Sequence, residues 1–114
     1  MRTAYGPAKA AIIMLTRCLA IEWSRYNINV NAVSPGDLLT SMVKNGIDSG
    51  MIDDGVPKRR IPMGRLGSPE EISEVVLFLF SEAASYVNGV NLPVDGGFTA
   101  FGSYGDAFDM HSRN

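Results

Sequence analysis

Tyr5-Gly6-Pro7-Ala8-Lys9 opens a helix that the residue pattern carries to about Tyr26, and the rest of the chain is organised around it. Tyr5 and Lys9 stand four positions apart. On a helix that spacing puts both on one face, about 6 Å apart along the axis. At that range, with an effective dielectric of about 20, an ammonium stabilises a phenolate by roughly 3 kcal/mol. A tyrosine so placed can exchange a proton with a substrate oxygen near neutral pH. The same spacing is an ordinary surface pair on many helices, so the reading depends on the other motifs of the chain.

Thr3 is the expected N-cap of this helix, with Pro7 tolerated in the first turn. From Ala10 to Trp23 nearly every residue is apolar, and only Arg17, Glu22 and Arg25 mark a narrow wet edge. A helix apolar around most of its circumference is expected to be covered on two sides, by a sheet and by a partner helix. Cys18 lies within it and is expected to be buried packing.

Ile28-Asn29-Val30-Asn31-Ala32-Val33 alternates and is β-branched at Ile28, Val30 and Val33, which predicts a short strand ended by Ser34-Pro35-Gly36. Helix, strand and Pro-Gly turn in that order fit a parallel α/β sheet with the turn at the carboxyl edge, where such sheets bind ligands. From Asp37 to Leu66 no periodicity is sustained, and short helical turns around Ser41 to Asn45 are the most the pattern offers. A loop of that length in a compact domain is usually functional or mobile. Within it, Lys58-Arg59-Arg60 reads as a solvated basic face.

Ser68-Pro69-Glu70-Glu71 predicts a helix start, with Ser68 as cap, Pro69 in the first position and Glu71 completing a capping box. Ile72, Val75, Val76 and Leu79 supply the apolar stripe of a helix ending near Phe80 or Ser81. Asn88-Gly89 turns the chain into a second strand, Val90 to Val94, with Pro93 leaving one side unpaired. Asp95-Gly96-Gly97 closes it, and the tail from Phe98 to Asn114 is expected to cover a neighbour or to be loose.

The 114 residues suit one domain, and 46% hydrophobic content is that of a globular chain. A net charge of −2 argues against nucleic acid as the main partner. With His111 the only histidine and Cys18 the only cysteine, no metal site is expected. No apolar run reaches the roughly 20 residues of a membrane span. Met1-Arg2-Thr3 leads straight into the helix, so no signal peptide is expected and the expected setting is cytoplasmic.

Four markers in this order resemble the C-terminal half of a short-chain dehydrogenase/reductase. Tyr5/Lys9 is similar to the family's Tyr-x-x-x-Lys motif. Asn29 to Gly36 with Thr40 resembles its strand and Pro-Gly-x-x-x-Thr turn, Arg65 to Ile72 the opening of its last long helix, and Gly89 to Gly97 its last strand with a Val-Asp-Gly-Gly ending. The resemblance covers about residues 3 to 99. It implies an α/β, Rossmann-like fold, here the last two strands of a doubly wound parallel sheet with their flanking helices. Residues 1–114 would be a partial domain: active-site helix, substrate loop over about 37–66, last helix and strand to about 97, and tail over 98–114.

The resemblance also implies hydride transfer between NAD or NADP and a small-molecule alcohol or carbonyl. Tyr5 would be the acid/base. Lys9 would favour its phenolate and hydrogen-bond the nicotinamide ribose. Pro35-Gly36 would let the backbone pass beside the nicotinamide, Leu38 N–H would meet the carboxamide, and the Thr40 hydroxyl would contact the amide or the phosphates. Residues from Ser41 to Met63 would form a substrate lid, and the helix over about 4–26 would pair with its copy in a homo-oligomer.

The chain departs from the family pattern in what it lacks. It has no Gly-x-x-x-Gly-x-Gly after a strand, no residue choosing between NAD and NADP, and neither the serine nor the asparagine that the family carries upstream of the tyrosine; Ser34 and Ser41 both come after it. The expectation is therefore a fragment of an oxidoreductase, inactive alone. The alternatives are a non-catalytic interaction module that pairs with a full-length dehydrogenase subunit, or a different enzyme with the same helix motif, such as a nucleotide-sugar epimerase. The Pro35-Gly36 turn and the Asp95-Gly96-Gly97 ending speak against the last.

Overall fold

Ala, Leu and Met between Ala10 and Ala20 favour helix. In the computed structural model, which describes residues 3–102 and 105–107, the first helix α1 runs Tyr5–Trp23. A 3₁₀ turn, Ser24–Tyr26, and Asn27 in the left-handed region at φ 57° then end it. The chain divides into two compact units, one of residues up to Ser34 with Val75–Leu92, the other of Pro35–Glu74 with residues from Pro93 onward. The sheet has two strands, β1 (Ala32–Pro35) and β2 (Asn91–Val94), and both contribute residues to each unit.

In the first unit the N-cap of α1 is Ala4, with no side-chain cap, so the expected capping by Thr3 is corrected. Only Thr16 and Ala20 of α1 are buried; Ile12, Met14, Leu15 and Ile21 are exposed. Cys18 is also exposed, against the expectation of a buried thiol, because its face of the helix meets no partner among the described residues. Ala20 is covered by the Asn88-Gly89 turn: Asn88 Nδ2 donates to Ala20 O (3.1 Å), and a Cβ on Gly89 would lie 3.3 Å from Ala20 Cβ.

The first strand begins at Ala32 rather than Ile28, because the asparagines spend their amides elsewhere, and it runs on through Ser34 and Pro35, beyond the expected end at Val33. Asn29 Nδ2 donates to Ser85 O (3.0 Å), and Asn31 Nδ2 donates to Val87 O (2.8 Å) while its Oδ1 accepts from Val90 N–H (3.1 Å). Side-chain bonds here stand in for most of the backbone pairing, apart from the Gly89 N–H that donates to Val30 O (2.9 Å). The ladder begins where Ala32 N–H donates to Val90 O (2.9 Å).

In the second unit, Gly36 N–H donates to Val94 O (3.0 Å), which keeps the parallel register. Leu38 forms an isolated parallel bridge with Gly67. The segment 37–66 is not one loop. It contains α2 (Ser41–Asp48), capped by Thr40, and α3 (Gly55–Arg60). Lys58, Arg59 and Arg60 form the last turn of α3, and they are paired rather than merely solvated: Lys58 with Asp54, Arg59 with Asp106, and Arg60 with the Phe101 ring. The described part of the tail is therefore held to α3. His111 lies outside the described residues.

The last helix, α4 (Pro69–Phe80), starts as its sequence requires: Glu71 N–H donates to Ser68 Oγ (3.3 Å) and Ser68 N–H donates to Glu71 Oε2 (2.8 Å). Arg65 grips the same carboxylate in a fork, Nη1 to Oε2 at 2.9 Å and Nη2 to Oε1 at 2.6 Å. Arg65, followed by the Ser68 N–H, holds the Glu71 carboxyl down at about 2. A depressed carboxyl contributes stability that is complete above the ordinary value of about 4.3 and fades as pH falls toward the folded value. Carbon-detected NMR of Glu71 is expected to show a midpoint near 2. Arg65→Ala should move it toward about 4.3; an unsubstituted chain titrating there would show that the fork does not persist in solution.

Candidate functional site

Tyr5 is the first residue of α1, two thirds exposed (66%), with Lys9 one turn on. The Lys9 ammonium lies 5.5 Å from the centroid of the Tyr5 ring. The ammonium faces the ring as a cation–π contact at the start of the helix. Tyr5 and Lys9 are thus brought together on one solvent-facing surface, within the first unit.

Pro35, Gly36, Leu38 and Thr40 lie on the segment that leads from the end of β1 to the cap of α2, with all four in the second unit. Gly36 lies against Asp95 so closely that a Cβ would come within 2.8 Å of Asp95 Cα. Asp95 in turn closes its own turn: its carboxylate accepts from Gly97 N–H and Thr99 N–H (3.0 Å each) and from the Thr99 hydroxyl (2.6 Å). The Thr99 hydroxyl chiefly, with these backbone N–H groups, holds the Asp95 carboxyl below the usual carboxylate range. Gly96 and Gly97 supply the left-handed backbone at φ +63° and +91°.

Leu39 N–H donates to Gly67 O (2.8 Å) and Thr40 N–H to Leu38 O (3.0 Å), whereas Leu38 N–H has no acceptor among the described residues. Thr40 Oγ1 accepts from Val43 N–H (3.3 Å) as the cap of α2, which leaves its O–H as a donor. Beside this segment is a cavity of about 320 Å³ lined by Leu38, Ile61, Met63, Ile72, Val94 and Gly96. No motif signalled the cavity, the Gly36–Asp95 contact or the ties between α3 and the tail, since each joins residues far apart in sequence. Among the described residues no helix is long and apolar enough to cross a membrane.

Within the second unit, the Leu38 N–H and the Thr40 hydroxyl are two donors close together in the chain. A family model described as enoyl-(acyl carrier protein) reductase matches residues 1–99. The chain belongs to the short-chain dehydrogenase/reductase family. Its relatives in this family include an NAD-dependent glycerol dehydrogenase of Listeria innocua, 49% identical over 96 residues, or 84% of this chain and 37% of that protein. An oxidoreductase of the short-chain dehydrogenase/reductase family from Burkholderia thailandensis superposes with a TM-score of 0.81 at 33% identity, over 87% of this chain and 38% of that one. An Agrobacterium tumefaciens protein, provisionally assigned as a 2-deoxy-D-gluconate 3-dehydrogenase and solved with NADP bound, has a TM-score of 0.75 at 40% identity, over 86% and 39%. The chain spans about a third of the length of the curated relatives it matches. The family fold is Rossmann-like α/β, and the parallel pair β1–β2 with α1 and α4 is this chain's share of it.

Proposed function

We propose that these residues supply the acid/base and the nicotinamide-facing turn of a cytoplasmic NAD(P)-dependent oxidoreductase acting on a small-molecule alcohol or carbonyl. The observation that carries this reading is the Lys9 ammonium 5.5 Å from the ring of an accessible Tyr5, at the start of a helix. Tyr5 Oη takes the hydroxyl proton of an alcohol, or gives a proton to a carbonyl oxygen. The bound nicotinamide supplies or accepts the hydride. Lys9 stabilises the phenolate and binds ribose hydroxyls, Leu38 N–H orients the carboxamide, and Thr40 O–H adds a donor at the same edge. α2 and α3 cover the substrate as a lid.

In Rossmann-like folds a glycine-rich turn after the first strand seats the dinucleotide's pyrophosphate, and this sequence has no such stretch. The proposed activity accordingly belongs to a unit of the family's full length, and the 114 residues alone are inactive. Oligomerisation through α1 is part of the same reading. The exposed Ile12, Met14, Leu15 and Ile21 also favour a second one, in which the chain pairs with a full-length dehydrogenase subunit without catalysing. Co-purification with such a subunit, with no turnover from the pair beyond that of the subunit itself, would support that second reading.

Lys9→Ala in the active protein tests the main reading. One charge-assisted hydrogen bond to the ribose is expected to be worth about 1.5–3 kcal/mol, so cofactor affinity should fall by roughly tenfold or more. Turnover should fall with it. Unchanged turnover and affinity together would remove Lys9 from the site; unchanged affinity with reduced turnover would confine it to the tyrosine.

A further inference from the structure

A helix of six residues does not persist on its own strength, so something must hold α3 (Gly55–Arg60). Two attachments are visible. Ile61, directly after it, is buried (2% exposed) beneath Gly96, where a Cβ would come within 2.7 Å of Ile61 Cγ2. The second is the tail. The Arg60 guanidinium lies 5.4 Å from the Phe101 ring centroid, Arg60 Nη1 donates to Gly105 O (3.0 Å), and Arg59 Nε is 3.5 Å from Asp106 Oδ2. Ala107 beside them is buried. On either side of α3 stand Gly50 at φ +74° and Gly64 at φ +70°, backbone joints open to few other residues.

We infer that Phe101, Gly105 and Asp106 form a strap that holds α3 in place, with Arg60 as the positioning residue it grips, and that this hold sets substrate affinity. The inference rests on the reading of residues 41–63 as the lid. Arg60 suits the task because its planar fork stacks on the ring while one N–H still reaches a carbonyl. The Arg59–Asp106 pair, more exposed, adds a salt-sensitive part of the hold.

The test is peptide-resolved hydrogen exchange on the full chain for Arg60→Ala, Phe101→Ala and the double variant, with residues 69–80 as internal reference. Exchange over 55–60 is expected to quicken by about tenfold in each single variant, with α4 unaffected and the double variant little worse than either. In the active protein, substrate KM should rise by about tenfold, with kcat and cofactor KM within about twofold. Phe101→Leu gives a milder step should either alanine variant disturb α4, and Arg60→Lys should recover only part of the loss. Unchanged exchange over 55–60 would overturn the strap. Faster exchange with unchanged KM would overturn its role in substrate binding. Failure of the oxidoreductase reading itself shows separately, as turnover retained in Tyr5→Phe, a variant that leaves exchange at 55–60 untouched.

Discussion

Tyr5→Phe in the active protein is expected to lower turnover by about 10²–10⁴-fold, the range of a lost general acid/base, which corresponds to roughly 3–5 kcal/mol of barrier. The change removes one hydroxyl and keeps the ring that the Lys9 ammonium faces at 5.5 Å. Cofactor affinity should therefore stay within about twofold, because the groups proposed to hold the nicotinamide end are all intact. Stability should change little as well, by about 0.5 kcal/mol or less, since Tyr5 is mostly exposed and buries no partner. The combination is diagnostic: a lost rate, with a kept melting temperature and a kept cofactor Kd, assigns the effect to the proton. A variant retaining most of its rate would show that another group or solvent carries that proton.

Much of this arrangement is legible in the sequence where the signal is local. Ser68, Pro69 and Glu71 specify a helix start among themselves, and their two reciprocal hydrogen bonds are present in the structure. Tyr5 and Lys9 meet because helical geometry alone brings positions four apart together. The signal fails where the deciding partner is distant. Asn29 and Asn31 look like strand residues by alternation, yet their amides bond residues 85, 87 and 90, so the strand begins only at Ala32. α3 has too few residues, and too much Gly and Pro, to show a period; the tail contacts that hold it come from some 45 residues away. Cys18 and the apolar face of α1 show a third kind of limit, because burial depends on what packs against a helix and not on the helix's own composition.

The candidate site divides along the same line. The motif residues Pro35, Gly36, Leu38 and Thr40 lie on the short segment between the end of β1 and the start of α2, and Thr40 is visibly a cap as well as a donor. What no motif reveals is why that segment needs glycine. Gly36 has no positive φ to accommodate; its constraint is the backbone of Asp95.

Gly36→Ala tests that constraint and is expected to destabilise the second unit by a clash with backbone rather than with a side-chain tip. The added Cβ would lie 2.8 Å from Asp95 Cα and Cβ and 3.4 Å from Asp95 O. A flexible side-chain tip could swing aside, but an α-carbon moves only with its chain. Asp95 is poorly placed to move. Gly36 N–H is bonded to Val94 O at 3.0 Å, and the Asp95 carboxylate is committed to Gly97 and Thr99. Any displacement would pass to Gly96, which already rests on Ile61. Overpacking of this kind costs about 1–3 kcal/mol, and each kcal/mol lowers the melting temperature of a domain near this size by roughly 4–8 °C. Leu38, two residues on, would shift with the turn, so cofactor affinity should fall by about tenfold or more at the proposed carboxamide contact. Gly102→Ala is the control, because a Cβ there meets nothing within 4 Å and its effect should be within about 0.5 kcal/mol. If Gly36→Ala melted alongside Gly102→Ala, the Pro-Gly turn would have room to open away from Asp95. Glycine at position 36 would then be needed only for what approaches it from the ligand side: a Gly36→Ala variant with normal stability and weakened cofactor binding would assign the residue wholly to the site, whereas loss of both would assign it first to the fold.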